Sequence, residues 1–186
     1  MDELPLDLEA LRAAIAAGRS FHYHFFYGHR REPDGVFSQW WPCAFEVDGQ
    51  RYATAEQFMM AGKARLFGDA DALAAILAEP DPAACKRLGR RVRGFDEGAW
   101  ARARFDLVVA GNAAKFGQSH HLRDILTATG DAILVEASPT DRIWGIGLAA
   151  SSPLARDPAT WRGRNLLGFA LVATRRMLTG ATPIAL

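Results

Sequence analysis

The segment TAEQFMMAGKA, Thr54 to Ala64, sets a carboxylate (Glu56) and an ammonium (Lys63) at the two ends of an otherwise apolar run. Glu56, Met60 and Lys63 stand at i, i+4 and i+7, so a helix puts them on one face. Two turns separate acid from base by roughly 10 Å. That is too far for a tight ion pair, but such a pair can frame the two ends of a small-molecule site. The plainer reading is that Glu56 complements a helix N-terminus and Lys63 snorkels to water. Taken alone, the segment favours the plainer reading; the other constellations in the chain raise the functional one.

A second group lies in SPTDRIWGIG, 138–147, where Asp141, Arg142 and Trp144 bring an acid, a base and an indole onto one Gly-rich loop. Such a set can hold a ribose phosphate with a stacked base, and loops at strand ends often carry function. Equally, it can be a structural turn with Asp141 capping and Trp144 in the core. Trp100, Arg104, Leu107 and Gly111 share a helical face, where a tryptophan is more often core than stacking platform. Lys86, Arg87, Arg90, Arg91 and Arg93 form the densest basic cluster, suited to phosphates or nucleic acid, or simply a solvated helical face. In WRGRNLLG, 161–168, backbone N–H groups with Arg162 or Arg164 can bind an anion, while Asn165 can cap or satisfy backbone. His22 and His24 fall on one strand face with His29 nearby, but no third ligand has motif spacing, so no metal is expected. The phosphate-binding G-x-x-x-x-G-K-[ST], the dinucleotide G-x-G-x-x-G and the G-x-S-x-G nucleophile elbow are all missing from the sequence.

The elements that must position these residues follow from periodicity. Leu6 to Ala17 has helical spacing and stops at Gly18, and Ser20 to Tyr27 reads as a strand. Gly28 to Gly35 is a polar, turn-rich loop. Ala44 to Val47 and Arg51 to Ala53 flank Asp48-Gly49, the signature of a β-hairpin. Thr54 and Gln57 make a T-x-x-Q capping box, so a helix starts at Ala55 and runs to Leu66. Further helices are expected over Asp69–Ala78, Ala83–Leu88, Asp96–Phe116 with Asp96 as N-cap, Leu122–Ala128 and Arg164–Leu178. His120-His121 reads as a helix-entry loop, Ala132–Ala137 as a strand, and 138–147 as the loop after it. Few, short strands and many helices make the fold class α+β: a helix-rich single domain with a small, mainly antiparallel sheet.

The chain has 186 residues and is 49% hydrophobic, enough for one compact core. Lys and Arg number 22 against 21 Asp and Glu, so any anionic partner must be held by a local patch. Two cysteines without metal spacing, Cys43 and Cys85, fit a reducing cytoplasm. An acidic N-terminus without a basic region does not read as a secretory signal, and no apolar run approaches membrane-span length. A cytoplasmic protein away from the membrane is therefore expected; oligomeric state is not legible.

Together these pieces resemble the NADAR (YbiA-like) superfamily. The matching segments are FFYG (25–28), FSQWWPCAFEVDGQRYATAEQFMMAGKA (37–64), LGRRVRGFD (88–96), KFGQ (115–118), LVEASPTDRIWGIGL (134–148) and WRGRNLLG (161–168), in the family's order. The resemblance implies an N-terminal helix (1–18) followed by one domain over 19–186. It also implies a helix-rich fold with a small sheet, and no cofactor. Two activities are implied. One is an N-glycosidase hydrolysing phosphoribosylated pyrimidine intermediates of riboflavin biosynthesis; the other removes ADP-ribose from guanine bases of nucleic acid. The non-enzymatic rival is a module that binds ADP-ribose or an NAD-derived metabolite. The partner is accordingly a small phosphoribosyl or ADP-ribosyl substrate, with ADP-ribosylated nucleic acid as the other candidate.

Carried over by motif, the family's acid and lysine fall on Glu56 and Lys63. Its further site residues fall on Trp100, Asp141, Trp144 and Asn165, and the FFYG segment adds Phe26 and Gly28. Gln39 stands where the family commonly has Asn, keeping the amide but lengthening it. Both implied reactions break a ribose C1′–N bond through an oxocarbenium-like transition state. Glu56 and Asp141 are the carboxylates available to stabilise it and move protons. Trp100 and Trp144 can stack on the base. Arg142 and Lys63 can hold phosphate, and a desolvated Lys63 has the sharper alternative of a Schiff base at C1′.

Overall fold

The structure is a computed structural model, which describes residues 3–180. Among the described residues there are seven α-helices and two short strand pairs. Helix α1 spans Leu8–Ala16, capped by Asp7, whose carboxylate accepts from Ala10 N–H at 2.7 Å. Strand β1 is Tyr23–Phe26, shorter than the aromatic run that predicts it. Strands β2 (Phe45–Val47) and β3 (Gln50–Tyr52) form the expected hairpin. Its Asp48 and Gly49 both have positive φ, 52° and 75°, the turn that matches strand twist.

Helix α2, Ala55–Leu66, starts where the capping motif places it. Thr54 Oγ1 accepts from Gln57 N–H at 3.2 Å, but the Gln57 side chain reaches back one residue further than a capping box requires, accepting from Ala53 N–H at 2.7 Å. Its amide then donates to the carbonyls of Ile76 and Glu79 at 3.0 and 2.9 Å. Gln57 thereby ties the start of α2 to the end of α3 (Ala70–Leu77). Helix α4 is Pro82–Gly89 and α5 is Glu97–Gly117, capped by Asp96 as expected. Helix α6, His120–Thr127, begins earlier than its apolar spacing suggests. Ser119 caps it, so His120 and His121 lie in its first turn rather than in an entry loop.

Strand β4, Ile133–Glu136, pairs with β1 in parallel: Tyr23 with Ile133 through Phe26 with Glu136. One strand pair is thus antiparallel and the other parallel, in a molecule dominated by helices. β4 alternates between two cores. Leu134 joins the main cluster with Phe37, Phe58, Phe116 and Leu171, while Ile133 and Val135 face a smaller one with Leu11, Trp161 and Phe169. Helix α7, Leu166–Leu178, lies against β4 and α5. It begins two residues later than periodicity suggests because Asn165 is left-handed, φ 53°. Gly168 is required here: a Cβ would sit 2.0 Å from the Leu134 carbonyl oxygen. Among the described residues no helix is long and apolar enough to cross a membrane.

Candidate active site

A cleft of about 900 Å³ opens beside the C-terminal end of the β1–β4 pair. The loop after β1, with Gly28, His29 and Arg30, forms one wall. Gln39 and Trp40 follow it, Glu56 and Met59 come from α2, and Lys86 from α4. Glu136 at the tip of β4 also lines it, with Asp141 and Trp144 from the next loop.

Glu56 is 2% exposed, in the first turn of α2, and its backbone N–H donates to the Gln39 carbonyl at 2.9 Å. Its Oε1 is buried and accepts no hydrogen bond. Burial pushes its carboxyl up to about 7, partly offset by Lys86, the adjacent Trp40 and Arg90 and reinforced by Asp141. Asp141 has a visible structural task. Its Oδ1 accepts from the N–H groups of both Ile143 and Trp144 at 2.8 Å, shaping the loop that presents Trp144.

Helix α5 sets the opposite wall from behind. Asn112 donates to Gln39 Oε1 at 3.0 Å. Lys115, fully buried, donates its ammonium to the carbonyls of Val36 and Ser38 at 2.6 and 2.8 Å. Burial pulls that ammonium down to about 7. His24 bonds Asp34 at 2.9 Å, tying β1 to the same turn.

Of the candidate catalytic and substrate-binding residues, the cleft gathers Glu56, Asp141, Trp144, Gln39 and Gly28. The other five lie elsewhere. Lys63 does not share the cleft with Glu56: its ammonium sits 4.1 Å from the Phe95 ring centre and 5.7 Å from that of Trp100. Trp100 is 7% exposed, packed in the main cluster. Phe26 is buried against Phe37, ring centres 5.4 Å apart. Arg142 is exposed, its carbonyl accepting from Arg164 N–H at 3.0 Å. Asn165 serves the backbone: it donates to the Leu134 carbonyl and accepts from Glu136 N–H, both at 2.9 Å, completing the free edge of β4.

The basic cluster divides. Lys86 reaches the cleft; Arg93 grips Asp69 and Asp71 at 2.6 and 2.7 Å; Arg87, Arg90 and Arg91 stay exposed. Among the described residues no group of three His, Cys, Asp or Glu is placed to hold a metal. Sequence reasoning missed Glu136, whose signal was a lone acid closing the apolar strand AILVEA. It also missed Lys115 and Asn112, which look like ordinary helical residues until the fold buries them.

The NADAR domain model matches residues 25–179, which contain every cleft residue named above. An N-glycosidase from Acanthamoeba polyphaga mimivirus is 43% identical over 160 residues, covering 82% of this chain and 94% of the relative. A riboflavin biosynthesis protein of Vibrio vulnificus is 30% identical over 155 residues, 82% of this chain but 38% of that longer protein. The NMR structure of Escherichia coli YbiA superimposes with a TM-score of 0.71 at 26% identity, covering 88% of both chains. The chain belongs to the NADAR family.

Proposed function

We propose that this protein hydrolyses the ribose C1′–N bond of phosphoribosylated pyrimidine intermediates of riboflavin biosynthesis. The coarser statement rests on kinship: relatives 43% and 30% identical carry the name N-glycosidase, so the chain is a hydrolase acting on N-glycosyl bonds. The finer one draws on the Vibrio relative's name and on a cleft sized for one nucleotide-like ligand.

The observation that carries the reading is Glu56, a buried carboxyl that lines the cleft and keeps one oxygen without a hydrogen-bond partner. As a carboxylate it stabilises positive charge developing on the ribose and draws water toward C1′. Trp144 and Trp40 offer faces for the base. Arg30, Arg31 and Lys86 offer charge-assisted donors to phosphate. Asp141 keeps the Trp144 loop in shape and adds negative charge beside the reacting carbon. Lys63 keeps its aromatic contacts, so borohydride added during turnover should trap no adduct on it.

A second substrate has one observation in its favour. Lys86, which lines the cleft, belongs to α4, and that helix and its end also carry the exposed Arg87, Arg90 and Arg91, a surface able to meet a nucleic-acid backbone. The test offers both substrates, the phosphoribosylamino-pyrimidine and an ADP-ribosylated guanine oligonucleotide, to the protein and to Glu56→Gln. Mass spectrometry follows the released base and sugar. Release from the pyrimidine alone, abolished in the variant, is the expected result. Release of ADP-ribose alone transfers the assignment to nucleic acid, and full turnover by Glu56→Gln removes Glu56 from the chemistry.

A further inference from the structure

We propose that Glu136 is the proton donor of this reaction, sharing the cleft with Glu56 and protonating the nitrogen that leaves C1′. The role rests on the N-ribosyl hydrolase reading above.

The backbone aims the side chain. Glu136 ends β4, in register with Phe26 of β1. Its N–H is held by Asn165 Oδ1 at 2.9 Å, and its carbonyl accepts from Ile146 N–H at 3.0 Å. Strand alternation puts it on the face of Leu134, which packs into the main cluster with Phe58 and Met59 of α2. Glu136 therefore looks toward the helix that carries Glu56, and both line one cleft. Its Oε2 is buried without a hydrogen-bond partner, as is Oε1 of Glu56. Two cleft-lining carboxyls that each keep a buried, unpartnered oxygen are costly unless the site uses them.

Charged groups reach Glu136 from three elements: Glu56 on α2, Lys86 on α4 and Asp141 on the following loop. Arg30, Arg31, Glu32 and Asp34 lie in the wall formed by the loop after β1. Burial dominates, Asp141 and Glu56 add to it, Lys86 opposes it, and the carboxyl is pushed up to about 8. Asp141 is committed elsewhere: its Oδ1 accepts from two backbone N–H groups that shape the Trp144 loop.

The step balances as follows. The C1′–N bond breaks with its electron pair going to nitrogen, which takes the proton of Glu136. Water bonds to C1′ and gives a proton to Glu56. Transfer of that proton back to Glu136 through solvent restores both groups.

The test compares wild type, Glu136→Gln and Glu56→Gln on the N-ribosyl substrate and on the same ribose phosphate carrying 4-nitrophenolate, which departs without a proton. Expected for Glu136→Gln is a kcat loss of ~10²–10⁴-fold on the N-ribosyl substrate with KM little changed. The alkaline fall in rate should disappear, and the loss on the nitrophenyl substrate should be small. Glu56→Gln should lose rate on both. Equal losses for Glu136→Gln on both substrates, or an unchanged alkaline limb, overturn the donor role while leaving the functional reading intact. Wild type that releases no base from any N-ribosyl substrate overturns both. Should circular dichroism show Glu136→Gln unfolded, Glu136→Asp carries the test. A carboxyl drawn back by one methylene should lower kcat on the N-ribosyl substrate alone, and an unchanged kcat overturns the role.

Discussion

Glu56 illustrates how a residue that is poor for stability can be the one a proposed mechanism relies on. Its folded carboxyl is raised to about 7 from an ordinary 4.5, chiefly by burial. A raised value means that the folded state holds the proton more tightly than the unfolded chain. The associated stability is fully present below pH 4.5 and is lost as pH rises through about 7. Glu56→Gln keeps the shape and cannot ionise. Its melting temperature should exceed that of wild type by a margin that grows between pH 5 and 8, about 2–4 °C for each kcal/mol recovered, while turnover falls by ~10²-fold or more. Thermal melts across that pH range check this; a constant margin would mean that Glu56 is not buried as a charge. In the wild type, turnover should rise as Glu56 ionises near 7 and fall as Glu136 ionises near 8, giving a narrow bell. Glu56 was legible in the sequence because a capping motif fixes its place on the helix. Glu136 was not, because only the pairing of β4 with β1 shows that its side chain turns inward.

Elements, rather than side chains, decide why several expected site residues stand elsewhere. The regular spacing of α2 predicted a shared face for Glu56 and Lys63, and the helix has that spacing. What spacing alone does not say is how far along a helix a cleft extends: Met59 is in it, and Lys63, one turn on, meets Phe95 instead. Asn165 is the converse case, a polar residue in a ligand-like motif whose side chain acts on β4. Asn165→Ala should leave the Leu134 carbonyl and the Glu136 N–H without partners, costing about 1–3 kcal/mol for each buried group. Denaturant unfolding should register the loss, and kcat should fall with it because Glu136 loses its anchor. Lys115→Met tests the other wall. Freed from Lys115, the Val36–Ser38 turn that leads into Gln39 should loosen, raising KM several-fold in steady-state kinetics. The hairpin and the helix caps were readable because short-range chemistry dictates them; the late start of α7 was not, since a left-handed Asn165 answers to a distant strand.

For the whole molecule, a near-neutral charge hides an uneven distribution. Replacing Arg87 and Arg91 by Gln removes exposed basic surface and spares Arg90, which acts on Glu56, and Arg93, whose ion pairs hold α3 to the segment after α4. Turnover of a mononucleotide-sized substrate should be nearly unchanged. A nucleic-acid substrate would instead bind at least ~10-fold more weakly and with a shallower salt dependence. The helix-rich class was legible from composition and periodicity; the parallel strand pair was not, because no local signal marks partners so distant in sequence. That pairing has a further consequence in time. Tyr23 meets Ile133 only after five helices lie between them, so the cleft wall requires closure of a long loop that contains α2 to α6. Local helices can form early, while joining β1 to β4 belongs among the late, slow steps. A chain emerging during synthesis would therefore acquire its hairpin and most helices before it could hydrolyse anything, and activity during refolding should lag behind the recovery of helical signal.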